Sequence, residues 1–385
     1  MKKSSPLKGV TFSLLILFTL SSSFAQGLEI DSSNVIKKLD PINKLIGPTS
    51  DLEAVAISPT GNILAAGGWD KNIYIFSLEL NNFGEILHTF KNHSSAILSL
   101  SFDKRGEYLA ASSNDHTLTT WNIDSALQTG MQRQDLAINN VKYGPSIKYV
   151  YSSIKNGEIK VWDMMDPKRI RTINTKMKIN SFAMSKDRKF VFTAGESNHV
   201  KKFNLKGIEI ISLEGHTAFI NDIALSTKGQ LLASASDDKT IKIWDLVRSK
   251  EKLTLTGHTS KVNTVAFTSD DKYIISGDHS GEVIIWEIET GNIVKRIAGL
   301  GKSIRNLSIS RYMDYIAVAS YENSGEKNVV YYCATGLLNN ALDMRRKANK
   351  RKEALRKEKE ANEKTPEELR EENIEDILNE TQEQF

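Results

Sequence analysis

An aromatic residue closes an apolar segment every forty-odd positions along most of this chain. The series runs Phe76, Trp121, Trp162, Phe203, Trp244, Trp286 and Tyr332, at intervals of 45, 41, 41, 41, 42 and 46 residues. A fixed period kept over the greater part of 385 residues means that one small unit is built repeatedly and stacked on its neighbours. Two units align directly. Leu213-Glu-Gly-His-Thr-Ala-Phe-Ile-Asn-Asp-Ile-Ala-Leu-Ser226 matches Leu255-Thr-Gly-His-Thr-Ser-Lys-Val-Asn-Thr-Val-Ala-Phe-Thr268. A turn follows each, then a small-residue strand, Leu231 to Ser236 and Tyr273 to Gly277. Each ends on an apolar strand carrying tryptophan, Ile241 to Trp244 and Val283 to Trp286.

Other punctuation keeps step. Turns fall at Ser58 to Gly61, Asp103 to Gly106, Ser185 to Arg188 and Ser226 to Gly229. An apolar residue followed by asparagine opens a strand at Ile138-Asn139, Ile179-Asn180, Ile220-Asn221 and Val262-Asn263. Four short strands per period of about 40–45 residues is the spacing of a propeller blade. The prediction is an all-β, seven-bladed β-propeller closed by an N-terminal strand, followed by a charged C-terminal α-helical tail. Hydrophobic residues at 40% and charged residues at 25% exclude a wholly disordered chain, a collagen and a multi-span membrane protein. A single cysteine, Cys333, excludes an intrachain disulfide framework and a CxxC zinc site. A net charge of +4 gives no strong steering toward nucleic acid or anionic lipid.

These units resemble the WD-repeat family. Its Gly-His pair stands at Gly215-His216 and Gly257-His258, and as Asn92-His93. Its Trp-Asp pair stands at Trp162-Asp163 and Trp244-Asp245, relaxed to Trp121-Asn122, Trp286-Glu287 and Phe203-Asn204. The resemblance covers about Ile42 to Ala334. It implies a buried structural tetrad of His216, Ser234, Asp238 and Trp244, linked by hydrogen bonds. The unit ending at Trp286 offers His258 and Ser276, with Ser280 where aspartate is expected. The unit ending at Trp121 offers His93 and Asp115, with Ala111 in the serine place. The phase of the repeat also implies that Ile42 to Leu45 pairs with Val329 to Cys333 and shuts the ring.

The two ends read differently. Lys2, Lys3 and Lys8, an apolar stretch from Val10 to Leu20, and Ser23 and Ala25 fit a bacterial-type signal peptide cleaved before Gln26. The expected location is therefore periplasmic or extracellular, with an uncleaved anchor as the rival. At the other end, residues 337–385 carry eleven basic side chains, mostly early, and thirteen acidic ones, mostly late. Glu353 with Lys357 and Glu360 with Lys364 are i,i+4 pairs of helical sense. Thr365-Pro366-Glu367-Glu368 reads as a helix start. Apolar heptads are not sustained, so a coiled coil is weakly supported. The domains are thus a signal peptide at 1–25, a lead-in at 26–41, the propeller at 42–336 and the tail at 337–385.

Catalytic patterns are missing. Gly299-Leu-Gly-Lys-Ser303 has part of a phosphate-loop pattern, but the required earlier glycine is Arg296. No HExxH or Gly-x-Ser-x-Gly occurs. The sequence predicts no catalytic, cofactor-binding or metal-ligating residues, and so no enzyme. The resemblance implies a rigid platform for proteins. Its loops before the first strand of each blade and between the second and third rim one face. Trp69, Lys178, Phe219 and Lys261 are the partner-binding candidates there. The expected function is an exported, non-enzymatic scaffold for a protein partner, with no nucleic acid and no membrane beyond the export signal. The alternatives are a hydrolase or lyase with a cross-blade site, and a structural subunit assembling through its C-terminal helix.

Overall fold

The computed structural model describes residues 42–334, apart from 80–81, 145–147, 167, 312, 314 and 322–328. The expected signal peptide, lead-in and tail helices lie outside the described residues. The chain divides into two units, Met1–Ile42 and Asn43–Phe385, and apart from Ile42 the described residues all belong to the second.

All regular structure among the described residues is β-strand. After β1 (Ile42–Ile46), the first sheet contains β2 (Leu52–Ile57), β3 (Ile63–Gly68), β4 (Ile73–Ser77) and β5 (Ile86–Phe90). The second contains β6 (Ile97–Phe102), β7 (Tyr108–Ser113), β8 (Thr117–Asn122) and β9 (Gln128–Arg133). The third contains β10 (Ile138–Tyr143), β11 (Tyr149–Ile154), β12 (Glu158–Asp163) and β13 (Ile170–Asn174). The fourth contains β14 (Ile179–Met184), β15 (Phe190–Gly195), β16 (Val200–Asn204) and β17 (Glu209–Leu213). The fifth contains β18 (Ile220–Leu225), β19 (Leu231–Ser236), β20 (Thr240–Asp245) and β21 (Lys250–Thr256). The sixth contains β22 (Val262–Phe267), β23 (Tyr273–Asp278), β24 (Val283–Glu287) and β25 (Ile293–Ile297). These six sheets are each four consecutive strands. The remaining strands are β26 (Ser303–Ile309), β27 (Tyr315–Tyr321) and β28 (Val329–Ala334). They form a further sheet in the order β1-β28-β27-β26, so its outer strand is the first of the described strands.

The first strand of each sheet packs on the first strand of the next, from β2 through β6, β10, β14, β18 and β22 to β26. β26 packs on β2 in turn. This is a propeller whose inner strands line a channel. The packing between sheets needs small residues on one face and large ones opposite. Ala65, Ile73, Ile75 and Phe90 of the first sheet enclose Ile97, Leu109 and Trp121 of the second. The Phe90 and Trp121 rings stack at 4.3 Å, with planes 2° apart. Across the join, Ala317 and Ala319 of β27 pack with Leu52, Val55, Leu64 and Phe76. The periodic aromatics Trp162, Trp244, Trp286 and Phe76 are fully buried on third strands, each removing a large apolar area from water.

The repeated turn residues have a local cause. Between the first and second strands, one oxygen-bearing side chain accepts the backbone N–H five residues on. Tyr108 N–H donates to Asp103 at 2.8 Å, Phe190 to Ser185 at 3.0 Å and Leu231 to Ser226 at 3.0 Å. Gly106 closes its turn at φ 78°, a conformation that costs glycine little.

Candidate binding face and channel mouth

Every inner strand carries a bulge at the same place. The register between first and second strands shifts after Leu52, Ile97, Ile138, Ile179, Ile220, Val262 and Ile304. A bulge leaves one residue unpaired and re-aims its side chain. The skipped residues are Glu53, Leu98, Asn139, Asn180, Asn221, Asn263 and Arg305, and all line a cavity of about 340 Å³. The recurring asparagine is therefore a linker between sheets. Asn139 Nδ2–H donates to the Ile179 carbonyl at 3.2 Å and Asn180 to Ile220 at 3.0 Å. Asn221 donates to Val262 at 2.9 Å and Asn263 to Ile304 at 2.7 Å.

At the join the link is ionic instead. Arg305 Nε donates to Glu53 Oε2 at 3.0 Å. The Tyr321 hydroxyl and Trp69 Nε1–H, the latter at 2.8 Å, both donate to Glu53 Oε1. Burial alone would lower the Arg305 pKa, but the Glu53 carboxylate more than offsets this and raises it. Burial first, and the bond to Glu53 next, push the Tyr321 phenol up to about 12.

Behind the rim, buried polar chains tie its loops together. Trp244 Nε1–H donates to Ser234 Oγ at 2.8 Å, and His216 Nε2 lies 2.7 Å from that hydroxyl. His216 Nδ1–H donates to Asp238 at 2.7 Å, and the same carboxylate takes the Thr217 N–H at 3.1 Å. The turn between β19 and β20 is thus fastened to the loop entering β18. The expected tetrad residues come together.

Two other sheets achieve the same result with residues the sequence reading placed otherwise. In the Trp286 sheet the carboxylate is Asp278, not the position of Ser280. Asp278 lies 3.0 Å from His258 Nδ1, and it accepts the Ser280 N–H and hydroxyl at 2.9 and 2.7 Å. In the Trp121 sheet Ala111 offers no hydroxyl, but Thr119 stands opposite it in the ladder. Trp121 Nε1–H donates to Thr119 Oγ1 at 3.0 Å, and that hydroxyl lies 2.8 Å from His93 Nε2. In the first sheet Asp70 fastens the loop through the Thr49 N–H at 2.8 Å. Thr119→Val keeps the shape and removes the hydroxyl, stranding a buried indole N–H and an imidazole nitrogen. It is expected to cost about 2 kcal/mol, read as a lower urea midpoint with unchanged slope.

The four partner-binding candidates stand at the same edge of their antiparallel sheets, but not as one patch. Lys178, Phe219 and Lys261 precede β14, β18 and β22, which are consecutive inner strands, whereas Trp69 follows β3 in the first sheet. Phe219 and Trp69 are 51% and 52% exposed. Both lysines have ionic partners: Lys178 pairs with Glu196 at 2.8 Å, and Lys261 with Asp237 of the preceding sheet at 2.5 Å. Asp237 also receives Asn221 Nδ2–H at 2.8 Å. Glu53 and Arg305 were missed. Their signal is a charged pair, in the first and last repeats, at the place held elsewhere by asparagine.

His258, Asp278 and Glu282 bring ligand atoms within 4.8 Å of one another. Each already has a protein partner: His258 and Asp278 as above, Glu282 through Arg296 at 2.8 Å.

Comparison with known proteins agrees with this geometry. The family model described as "WD domain, G-beta repeat" matches residues 207–245 and 249–287. The chain is a WD-repeat β-propeller. A second family model, "Nucleolar protein 10-like, N-terminal domain", matches residues 45–208 of this WD-repeat chain. Among curated relatives, Protein HIR1 of Mycosarcoma maydis is 24% identical over 208 residues, 51% of this chain and 18% of that protein. Nuclear distribution protein PAC1 of Arthroderma benhamiae is 25% identical over 228 residues, 55% of this chain and 44% of that protein. The human serine-threonine kinase receptor-associated protein is 26% identical over 208 residues, 52% of this chain and 56% of its own. The WD-repeat chain thus spans less than two thirds of each of these relatives.

Proposed function

We propose that this WD-repeat propeller is an exported, non-enzymatic scaffold that holds a protein partner on the face bearing Phe219, Lys178, Lys261 and Trp69. The observation that carries the reading is the fastening of that face. Buried polar chains pin its loops from behind, while two aromatic side chains remain half exposed on it. Preordered loops lose little conformational freedom on binding, and exposed aromatics are favoured anchors. Relatives whose names place them in assemblies support the class: a target of rapamycin complex subunit and a receptor-associated protein. Export rests on the sequence of residues 1–25.

The test is affinity capture from a cell-envelope extract, with cytosol as the parallel sample. The double substitution Trp69→Ala, Phe219→Ala is expected to reduce recovery of specific partners at least tenfold while leaving the melting temperature within a few degrees. Equal recovery by both proteins would reject this face. A partner recovered from cytosol alone would reject export.

A further inference from the structure

The channel has a second end, bordered by the turns between first and second strands. A cavity of about 630 Å³ opens there, walled by Phe102, Tyr143, Tyr151, Met184 and Leu225. Its size is that of a small-molecule site. One residue in it departs from the repeat. Four residues on from the position before the bulge, the inner strands carry Ala56, Ser101, Ala183, Ala224, Ala266 and Ser308, all small, but in β10 the residue is Lys142.

Among the described residues the Lys142 side chain has no hydrogen-bond or ion-pair partner, although its backbone pairs with Tyr151 in the ladder. Its ammonium lies 5.7 Å from the Phe182 ring centre. The carboxylate whose charge it feels is Asp222, which is occupied by the Ser181 and Thr264 hydroxyls at 2.7 and 3.1 Å and by the Val265 N–H at 3.1 Å. Asp103, the carboxylate that borders the cavity, accepts the Arg105 and Tyr108 N–H groups at 2.9 and 2.8 Å. Burial, followed by the charge of Asp103, raises the Tyr143 phenol, which therefore stays a donor. Lys104 and Arg188, both exposed, add positive charge at the rim. The cavity thus offers donors and apolar walls, with its lining carboxylate already engaged.

We infer that this cavity binds a small amphipathic carboxylic acid, its carboxylate on Lys142 and its aliphatic or aromatic body against the ring-lined walls. A carboxylate matches the single inner ammonium charge for charge. A doubly charged phosphate would leave an uncompensated charge in an apolar setting, which is costly. Burial lowers the Lys142 pKa, and an anion beside it would favour the charged form.

Calorimetric titration of the full chain with decanoate tests the assignment, with decanol as the neutral body of equal length and decyl phosphate as the second anion. The expected result is one saturable decanoate site, with decanol and decyl phosphate each at least tenfold weaker. Lys142→Met is expected to bring decanoate down to the level of decanol and leave decanol unchanged, and Lys142→Arg to restore most of the loss. A measurement on the unaltered chain guards against a variant that does not fold: decanoate, but not decanol, should protect Lys142 from acetylation, read by peptide mass spectrometry. Equal affinity for decanol, tighter binding of decyl phosphate, undiminished binding by a folded Lys142→Met, or no protection would each overturn the inference.

Discussion

Glu53→Ala is expected to lower stability by roughly 3 kcal/mol, the largest single loss at the channel mouth. The substitution removes the acceptor of three donors at once: the Arg305 guanidinium, the Tyr321 hydroxyl and the Trp69 indole N–H. The Glu53 side chain is only 11% exposed and that of Arg305 35%, so the stranded guanidinium is incompletely solvated. A loss of that size corresponds to a fall in melting temperature of about 5 °C for a domain of this length. Removing both charges together should hurt less than removing one. Glu53→Leu with Arg305→Met is therefore expected to recover part of the loss, and a double-mutant cycle isolates the coupling. A single Glu53→Ala variant melting within 1 °C of the parent would show that apolar packing alone holds the join.

The second large effect separates two residues of one turn, Asp278 and Ser280. Asp278→Ala is expected to cost about 2–4 kcal/mol, and Ser280→Ala less than about 1 kcal/mol. Asp278 is fully buried and serves His258 Nδ1, the Ser280 N–H and hydroxyl, and the Glu282 N–H. Loss of its carboxylate leaves these donors without an acceptor. Ser280 contributes one hydroxyl to the same oxygen. The opposite ranking in urea titrations would restore Ser280 to the carboxylate's place.

These polar chains also fix the response to acid. Burial would raise the carboxyls of Asp115, Asp238 and Asp278, but hydrogen bonds from neighbouring hydroxyls, backbone N–H groups and imidazoles more than offset it, holding all three below the usual range, Asp115 at about 2. Burial also holds His93 below the usual imidazole range, only partly countered by Asp115. A group whose folded pKa lies below its unfolded one contributes stability that is complete above the unfolded value and lost as pH falls. Urea midpoints are therefore expected to be level from pH 7 to 8, to decline below about 6.5 as His93 takes a proton in the unfolded chain, and to fall more steeply below about 4. A rise in stability between pH 7 and 5 would contradict this.

The strand plan was legible because buried indoles and the residues that satisfy them recur at fixed spacing, and because Ser58, Asp103, Ser185 and Ser226 mark the turns. The tetrad at His216 was legible through the resemblance to the WD-repeat family, which assigns a place to each of its four residues. What escaped were functions carried by geometry rather than by position in the repeat. A carboxylate reaches His258 from the end of β23, and a hydroxyl reaches Trp121 from the strand beside its expected place. Counting places along one strand cannot register a group delivered across a ladder. The bulge escaped as well, since its residues differ in chemistry while sharing a backbone distortion. Lys142 stood out only once the equivalent residues of the other strands could be set beside it.

The composite sheet has a consequence for assembly in time. β1 emerges early in synthesis, yet its ladder partner β28 comes near the end of the described chain. Such a distant pairing must absorb nearly the whole entropy of loop closure, and topologies of this kind mature slowly. Until then two raw sheet edges stay open to stray pairing with other chains. Nascent copies would thus be most vulnerable to aggregation in the interval before the last strand arrives.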